Sequence, residues 1–332
     1  MLDHITASRR VITDVMHSAV IASPGQIKIE TVRLPEPKSR QVRVRLQGCG
    51  VCASNLEIWA GQPWFSYPLE PGAPGHEGWG VIDKIGDGVQ ELVVGERVAV
   101  LSGHAYAEYD TADTGSVLRI PEKLTNCDVP AEPLGCAMNI FKRSNIMAGQ
   151  NVAIVGVGFL GILLTQLATE AGANVIAIGR RKFALDLAAE YGAKHLIEMT
   201  DQTNVVQQVM ALTRDRGCEV VIEAAGKQGP LTLAAELTSE RGRLVIAGYH
   251  QDGSREIDMQ LWNWRGLDVI NAHERDPQVY LEGMRSAFDA IADGRLDPAP
   301  LYTHTFSLDE VGKALDMTRD RPDGFMKAII KL

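Results

Sequence analysis

The hydrophobic pattern of the chain changes character near residue 150. Before that point, short apolar runs between glycines and prolines predict strands at 42–46, 81–85 and 97–101. After it, apolar runs of strand length alternate with stretches of helical periodicity. These predict strand 151–155, helix 159–171, strand 174–178, helix 183–191, and strands 219–223 and 243–247. Because strands that alternate with helices form parallel sheets with right-handed crossovers, we expect a parallel sheet in this half.

The C-terminal part adds further elements. Helices are predicted at 279–292 and 308–317, and a closing strand at 326–330 is expected to return to the β-rich half. The fold class is therefore α/β, with a parallel sheet covered by helices on both faces and a separate β-rich domain. We expect an N-terminal extension at 1–16, a β-rich domain formed by 17–136 and 274–332, and the parallel-sheet domain at 137–273.

The amino-acid composition argues against two classes of binding partner, nucleic acids and anionic membranes. The 332 residues contain 33 Lys and Arg against 42 Asp and Glu, a net charge of −9, whereas proteins that bind nucleic acids or anionic membranes carry the opposite excess. No apolar run reaches the ~18 residues of a membrane helix, and the N-terminal MLDHITASRR lacks the apolar core of a signal peptide. Five scattered cysteines do not form a disulfide framework. We expect a soluble, cytoplasmic protein with no nucleic-acid or membrane partner.

A glycine-rich sequence, GVGFLG at 156–161, stands between a predicted strand and a predicted helix. In a dinucleotide-binding turn, the first glycine permits the tight turn, the second admits the pyrophosphate, and the third lets helix and strand pack closely. The free N–H groups of the helix then bind the phosphates. A glycine-rich turn of another α/β fold is the alternative. The residues expected to bind the dinucleotide are Gly156, Gly158, Phe159, Leu160 and Gly161.

The strand after this motif ends in Gly179, Arg180 and Arg181. Proteins that bind NAD carry an acidic residue about 20 residues beyond the motif, where it binds the ribose 2′-hydroxyl. Here Gly179 takes that place, and two guanidinium groups follow, which suit a 2′-phosphate. The alternative is a pair of solvated arginines, although cations are unfavourable at the start of a helix. We expect NADP(H) to be preferred over NAD(H).

Several separated segments carry residues of metal-ligand or proton-transfer type. They are Cys52, Ser54, His76, Glu77 and Glu132. One thiolate, one imidazole and one carboxylate, widely spaced, are typical of an open catalytic zinc site, whereas a structural site needs four ligands, usually Cys-rich and closely spaced. The chain has no such cysteine cluster. We therefore expect one catalytic zinc and no structural zinc.

Together these motifs resemble those of a known family, the zinc-dependent alcohol and polyol dehydrogenases of the medium-chain dehydrogenase/reductase superfamily. The resemblance runs from about residue 18 to the C-terminus and includes GxGxxG, GHE, the cysteine before the serine, EPL, GERV, EAAG and the terminal KxII. The 24 residues from Glu132 to Gly156 match the polyol branch. The resemblance implies a GroES-like catalytic domain and a Rossmann domain. It also implies that Cys52, His76 and Glu132 hold zinc, with Glu77 as an exchangeable neighbour.

By the same resemblance, Ser54 relays the proton of an alcohol, and Cys49 is a buried bystander. Three positions depart from the family pattern. Asn55 replaces the aspartate that orients the histidine ligand, although an amide oxygen can still accept that bond. Glu57 replaces a histidine near the end of many family proton relays, and Asn139 replaces a histidine frequent in polyol dehydrogenases. None of these changes removes a metal ligand.

The function that the resemblance implies is hydride transfer between NADP(H) and a secondary alcohol or ketone of polyol, sugar-like or cyclic kind. One alternative is a zinc-free quinone or enoyl reductase of the same superfamily, against which the retained ligands argue. A non-catalytic nucleotide-binding sensor or structural protein is the other, because fold does not determine function. The chain keeps both the metal-ligand residues and the motif glycines, which argues against a non-catalytic protein.

Two apolar segments bear on substrate and assembly. Loop 59–68 is dense in aromatic residues, and in the family it borders the substrate cleft, although the rings could instead pack the core. Segment 261–272 is apolar and aromatic, and in the family the corresponding sheet edge pairs across a two-fold axis. We expect a homodimer or homotetramer, the alternative being a strand buried within one subunit.

Overall fold

The computed structural model describes residues 14–332. Its strands are β1 (Val15–Ser23), β2 (Gln26–Arg33), β3 (Gln41–Gly50), β4 (Glu77–Ile85), β5 (Arg97–Val100), β6 (Tyr109–Asp113), β7 (Val117–Arg119), β8 (Asn151–Val155), β9 (Asn174–Gly179), β10 (His195–Glu198), β11 (Cys218–Glu223), β12 (Thr238–Ile246), β13 (Asp268–Asn271), β14 (His304–Ser307) and β15 (Ala328–Lys331). Its helices are α1 (Leu56–Ala60), α2 (Ala131–Ser144), α3 (Phe159–Glu170), α4 (Lys182–Glu190), α5 (Gln202–Thr213), α6 (Gln228–Leu237), α7 (Met259–Arg265), α8 (Pro277–Ala292) and α9 (Val311–Asp320). None of these helices is long and apolar enough to cross a lipid bilayer. The predicted extension 1–16 lies mostly outside the described residues, and its last two residues belong to β1.

Six strands form the expected parallel sheet, in the order β10-β9-β8-β11-β12-β13. Every neighbouring pair runs parallel, with helices in the crossover connections. The central strand β8 is buried because apolar residues line both of its faces, from Val152 to Val155. Helix α3 packs on this strand through Ile162, Leu163 and Leu164, which are fully buried. The predicted Rossmann-type sheet is confirmed.

The second sheet is mainly antiparallel and holds seven strands. Its order is β14-β15-β3-β4-β5-β7, with β6 paired beside β3. Strand β15 lies inside this sheet, parallel to β14 and antiparallel to β3. The closing strand therefore returns to the β-rich half, as predicted. Strands β1 and β2 form a separate hairpin next to this sheet.

Segment 261–272, which the sequence assigned to a sheet edge, is only partly a strand. Residues up to Arg265 form helix α7, whose first turn is capped by the Asp258 side chain accepting from the Leu261 N–H. Gly266 ends the helix in the left-handed conformation, with φ +59. Only β13 is a strand, and it does lie at the sheet edge. An apolar run interrupted by a glycine is compatible either with one strand or with a short helix followed by a short strand. The cap at Asp258 favours the helix.

The predicted domain boundaries fall near two helices that pack together. The boundary between 136 and 137 lies inside α2, and that between 273 and 274 precedes α8. The two helices approach closely at Gly135, where a Cβ would lie 2.8 Å from Met284 Cγ. Glu132 stands in the first turn of α2. One predicted ligand is thus carried by a helix that spans a predicted boundary.

Candidate active site

Strands β3 and β4 bring the predicted thiol and imidazole ligands together. They are antiparallel neighbours in which Gly50 pairs with Glu77, so Cys52 after β3 meets His76 before β4. The ligand atoms of Cys52, His76 and Glu77 all lie within 4.8 Å of one another. Glu77 is buried, and the other two side chains are half-buried. A cation held by this group would be largely enclosed by protein.

A backbone carbonyl orients His76. Its Nδ1 lies 2.9 Å from the carbonyl oxygen of Pro74, which can only accept, so Nδ1 carries the hydrogen and Nε2 keeps a lone pair for a metal. The expectation that Asn55 orients this ring is wrong. Asn55 Nδ2 donates to Tyr106 Oη at 2.8 Å, and Asn55 Oδ1 accepts from Ser54 Oγ at 3.3 Å. Because Pro74 already satisfies the ring, the replacement of aspartate by Asn55 costs the histidine no hydrogen bond.

The charges around His76 favour a bound cation. Burial lowers the pKa of His76, but its hydrogen bond with Cys52 and the negative charges of Cys52, Glu132 and Glu77 raise it to about 10. At neutral pH without metal, the imidazole therefore carries a second proton, on Nε2, which a bound metal would displace. A thiolate, an imidazole and carboxylates gathered in this way are the donor set of a catalytic zinc. The residues present fit that metal.

Glu132 is not a member of the three-residue group found among the described residues. Its Oε1 accepts a hydrogen bond from Cys136 Sγ at 3.2 Å. Burial raises the pKa of Glu132, and the nearby charge of His76 acts in the opposite direction. Glu132 therefore lies close enough to influence His76, while its role as a zinc ligand stays a prediction.

Lys327 is a site residue that the sequence analysis missed. Its Nζ lies 2.8 Å from Glu77 Oε1 and 2.6 Å from Glu77 Oε2, and it donates to the carbonyl of Val51 at 3.1 Å. The same ammonium group stands 4.9 Å from the centroid of the Phe159 ring. Lys327 opens the terminal KxII sequence, which served above only as a mark of resemblance. Lys327 links the Glu77 carboxylate, beside the predicted metal ligands, to the first residue of α3.

The turn between β8 and α3 has the geometry of a dinucleotide cradle. Gly156 has φ +105, which favours glycine, and a Cβ at Gly161 would lie 2.1 Å from the Gly156 carbonyl oxygen. A Cβ at Gly158 would meet nothing within 4 Å, so the space above this residue is open. Helix α3 has no acidic residue in its first turn and no side-chain cap. Its first N–H groups are therefore left for a phosphate, as Gly158, Phe159 and Leu160 were predicted to provide.

The structure places Gly179 at the end of β9 and the two arginines directly after it. A Cβ at Gly179 would lie 2.5 Å from Val157 Cγ2, so this backbone leaves no room for an acidic side chain there. Arg180 is exposed, whereas Arg181 is half-buried and donates from Nη1 to the carbonyl of Phe325 at 2.6 Å. Arg180 and Arg181 thus differ in exposure and in hydrogen bonding.

Two contacts connect Ser54, the predicted proton-relay residue, and the nearby Glu57 to the nucleotide half. Gln251 Nε2 donates to the carbonyl of Ser54 at 2.8 Å. Lys227 Nζ lies 3.5 Å from Glu57 Oε1, and Gln62 Nε2 donates to Glu57 Oε2 at 2.7 Å. The carboxylate that replaces the relay histidine is therefore held by a cation and an amide. Sequence reasoning missed Gln251 and Lys227 because they lie in loops with no motif of their own.

Trp59 does not face a substrate cleft, although the sequence predicted that the aromatic residues of loop 59–68 border one. This side chain is only 4% exposed, and its Nε1 donates to Asp316 Oδ1 at 2.9 Å, so it packs in the β-domain core. Tyr67 packs against the same core. Trp64 is 56% exposed, with its ring centroid 6.0 Å from that of Phe65. The alternative of core packing is right for Trp59, because its indole finds both apolar neighbours and a hydrogen-bond acceptor there.

Two family models match the chain. The one described as alcohol dehydrogenase GroES-like domain covers residues 38–122, and the one described as zinc-binding dehydrogenase covers residues 160–288. The chain belongs to the zinc-type alcohol and polyol dehydrogenases. It is an enzyme of the alcohol dehydrogenase type within the medium-chain superfamily, and the predicted family and fold class are confirmed.

Relatives of this dehydrogenase include the sorbitol dehydrogenase of Bacillus subtilis (strain 168), which is 24% identical over 347 residues covering 95% of this chain and 97% of that protein. An alcohol dehydrogenase from Escherichia coli CFT073, solved with NADH, has 25% identity and a TM-score of 0.85, covering 96% of this chain and 100% of that one. A zinc-binding dehydrogenase from Sinorhizobium meliloti 1021, solved with NADP, has 26% identity and a TM-score of 0.82, with the same coverage. The two solved relatives thus hold different nicotinamide cofactors.

Proposed function

We propose that this dehydrogenase transfers a hydride between NADP(H) and a secondary alcohol or its ketone, of polyol, sugar-like or cyclic kind, with one zinc per chain. One observation carries the proposal: Lys327 Nζ contacts both the carboxylate of Glu77 and the ring of Phe159. The predicted metal donors and the dinucleotide turn therefore lie next to each other. Both are near the carboxyl end of β8, and ligands bind at the carboxyl ends of strands in open parallel sheets.

Cys52, His76 and Glu132 are the proposed zinc ligands, with Glu77 as an exchangeable neighbour. This set leaves one coordination position for substrate, as in catalytic sites. When bound, zinc supplies Lewis-acid polarisation of the substrate oxygen, and the nicotinamide supplies the hydride chemistry. The contribution of Pro74 is to fix the tautomer of His76 that leaves Nε2 free to ligate.

Ser54 is the proposed first acceptor of the alcohol proton. A hydroxyl can accept one proton while it donates another, and Ser54 Oγ already donates to Asn55 Oδ1. The backbone of Ser54 is held by the amide of Gln251 from the nucleotide half. Ser54 is therefore positioned by both halves of the molecule.

The preference for NADP(H) rests on Gly179, Arg180 and Arg181. An acidic residue at Gly179 would repel a 2′-phosphate, and the contact with Val157 Cγ2 excludes one in this backbone. Guanidinium groups form charge-assisted hydrogen bonds with phosphate. The solved relative from Sinorhizobium meliloti, which holds NADP, is compatible with this proposal.

The proposed substrate class rests on the polyol-type EPL ligand segment and on the relative named sorbitol dehydrogenase. With Trp59 in the core, the aromatic side chains left to face solvent from loop 59–68 are those of Trp64 and, in part, Phe65. A secondary alcohol with an apolar face and several hydroxyls suits such rings.

Metal analysis and an activity screen test the proposal together. The purified protein is expected to hold about one zinc per chain, and Cys52→Ser to lose both metal and turnover. Cys127→Ser, at an exposed free thiol, is the matched control and should keep both. Polyols, cyclic alcohols and their ketones are expected to turn over faster with the NADP(H) pair than with the NAD(H) pair. Full activity without zinc would favour a quinone or enoyl reductase, and no turnover with any alcohol or ketone would favour a nucleotide-binding sensor.

A further inference from the structure

The end of β9 meets the turn that follows α9. The hydrogen bond from Arg181 Nη1 to the Phe325 carbonyl joins these two segments across 144 residues of sequence. Arg321 opens that turn directly after α9, and its Nε donates to the carbonyl of Thr318 at 3.1 Å. Three arginines from two distant segments, Arg180, Arg181 and Arg321, therefore gather where the nucleotide sheet meets the C-terminal segment.

The described part of the chain gives the three guanidinium groups no carboxylate at ion-pair distance. Within residues 14–332, no carboxylate lies within 4.0 Å of them, whereas Arg319 on the same helix pairs with Asp316 at 2.8 Å. Such a basic cluster is unexpected in a chain of net charge −9. It is the kind of unpaired arginine group that binds phosphate in proteins.

Arg321 also occupies an unfavourable backbone position. Its φ is +46, in the left-handed region where glycine or asparagine usually ends a helix. Repulsion adds to this cost: partial burial and the charges of Arg321 and Arg180 lower the pKa of Arg181, while Asp323 acts in the opposite direction. The bond to Thr318 uses only Nε of Arg321, so the two terminal nitrogens of its guanidinium group remain as donors for another group.

We propose that Arg321 supplies a third guanidinium group to the 2′-phosphate of NADP(H), beside Arg180 and Arg181. The inference rests on the proposed preference for NADP(H) and adds a specificity residue outside the strand-end sequence. A phosphate monoester carries between one and two negative charges near pH 7, which more than one arginine can share. Arg181 and Arg321 each use one N–H on a backbone carbonyl, and each keeps further N–H donors that a phosphate could engage.

The test compares two fragments, adenosine 2′,5′-bisphosphate and 5′-AMP, by titration calorimetry on the full-length protein. The wild type is expected to bind the bisphosphate more tightly, and Arg321→Asn to reduce that preference about tenfold. Asparagine tolerates the left-handed conformation, so the end of α9 should persist. Arg319→Asn removes the same charge from the last turn of α9 and is expected to leave the preference unchanged.

The possible outcomes separate the two proposals. If the wild type prefers the bisphosphate and Arg321→Asn keeps that preference in full, Arg321 does not contact the phosphate and the inference is wrong. If Arg319→Asn reduces the preference as much as Arg321→Asn, general charge explains the effect and the inference is also wrong. If the wild type itself shows no preference, the proposed use of NADP(H) fails, and the role of Arg321 fails with it.

Discussion

Among single residues, Lys327 and Glu77 carry the most deeply buried charges of the site. Their side chains are 5% and 0% exposed, and both carboxylate oxygens lie within ion-pair distance of the ammonium group. Removal from water is costly for each ion, and the cost is offset only while both partners are present. Replacement of either residue is therefore expected to change both the free energy of unfolding and the surroundings of the proposed metal ligands.

Lys327→Met is expected to destabilise the protein by about 3–5 kcal/mol, because it leaves the Glu77 carboxylate buried without its partner. The double variant Lys327→Met with Glu77→Gln should recover part of that loss, since no unpaired charge remains. Denaturant unfolding of the metal-free proteins measures both. Equal losses in the single and double variants would contradict this account of the pair.

The raised pKa of His76 gives metal binding a pH dependence. A zinc ligand must be neutral imidazole, so binding below the pKa of about 10 displaces a proton. The apparent zinc affinity is therefore expected to rise as the pH rises towards that value and to level off above it. Calorimetry of the metal-free protein in buffers of different ionisation enthalpy measures the proton release. An affinity that stays constant from neutral to moderately alkaline pH would count against the predicted state of His76.

The site residues differ in how far sequence could reveal them. Cys52 and His76 could be proposed because the spaced thiol, imidazole and carboxylate, taken together with the dinucleotide motif, resemble the zinc-dependent alcohol and polyol dehydrogenases. Lys327 could not, because its contact with Glu77 spans 250 residues and depends on β15 pairing with β3. Trp59 was misassigned because the sequence does not show whether an aromatic residue in a segment predicted as a loop faces a cleft or the core; in the structure it lies in α1.

Among the elements, the β8–α3 turn offers a matched pair of glycines. In Gly161→Ala, a Cβ 2.1 Å from the Gly156 carbonyl forces α3 away from β8, so we expect a loss of about 1–3 kcal/mol in stability together with weaker dinucleotide binding. In Gly158→Ala, the new methyl group meets no protein atom within 4 Å, so stability should hold while dinucleotide affinity falls. Thermal unfolding and fluorescence titration with NADPH separate the two effects. A similar stability loss in both variants would rule out this difference in packing.

Elements were predictable where periodicity was long and unambiguous. The strands and helices from 151 to 191 matched because buried strands alternate there with amphipathic or apolar helices. The strand prediction for segment 261–272 was wrong over its first half, because short apolar runs are compatible with either a helix or a strand. Tertiary packing and the cap at Asp258 favour helix α7 there. Domain boundaries stay a prediction, with one of them inside the continuous helix α2.

At the scale of the whole molecule, the free edge of the parallel sheet predicts assembly. Strand β13 ends the sheet, and the adjoining helix α7 presents Trp264, which is 84% exposed. An edge strand beside an exposed tryptophan favours pairing with a second copy of the chain. We expect a homodimer or homotetramer in solution.

Trp264→Lys is expected to shift the assembly towards monomer, because it places a charge on the proposed contact. Trp64→Lys changes the other strongly exposed tryptophan, which lies on the β-rich half, and should leave the mass unchanged. Light scattering at micromolar concentration reads out both variants. A monomeric wild type would end the proposal.

The inner position of β15 also constrains how the molecule is made. Every strand of the parallel sheet precedes β15 in the chain, so that sheet can fold while synthesis continues. The antiparallel sheet cannot, because β15 separates β14 from β3 and is translated after both. Lys327 immediately precedes this strand and must arrive with it to pair with Glu77. The proposed metal site is therefore expected to become complete only after β15 has been synthesised, later than the nucleotide-binding half.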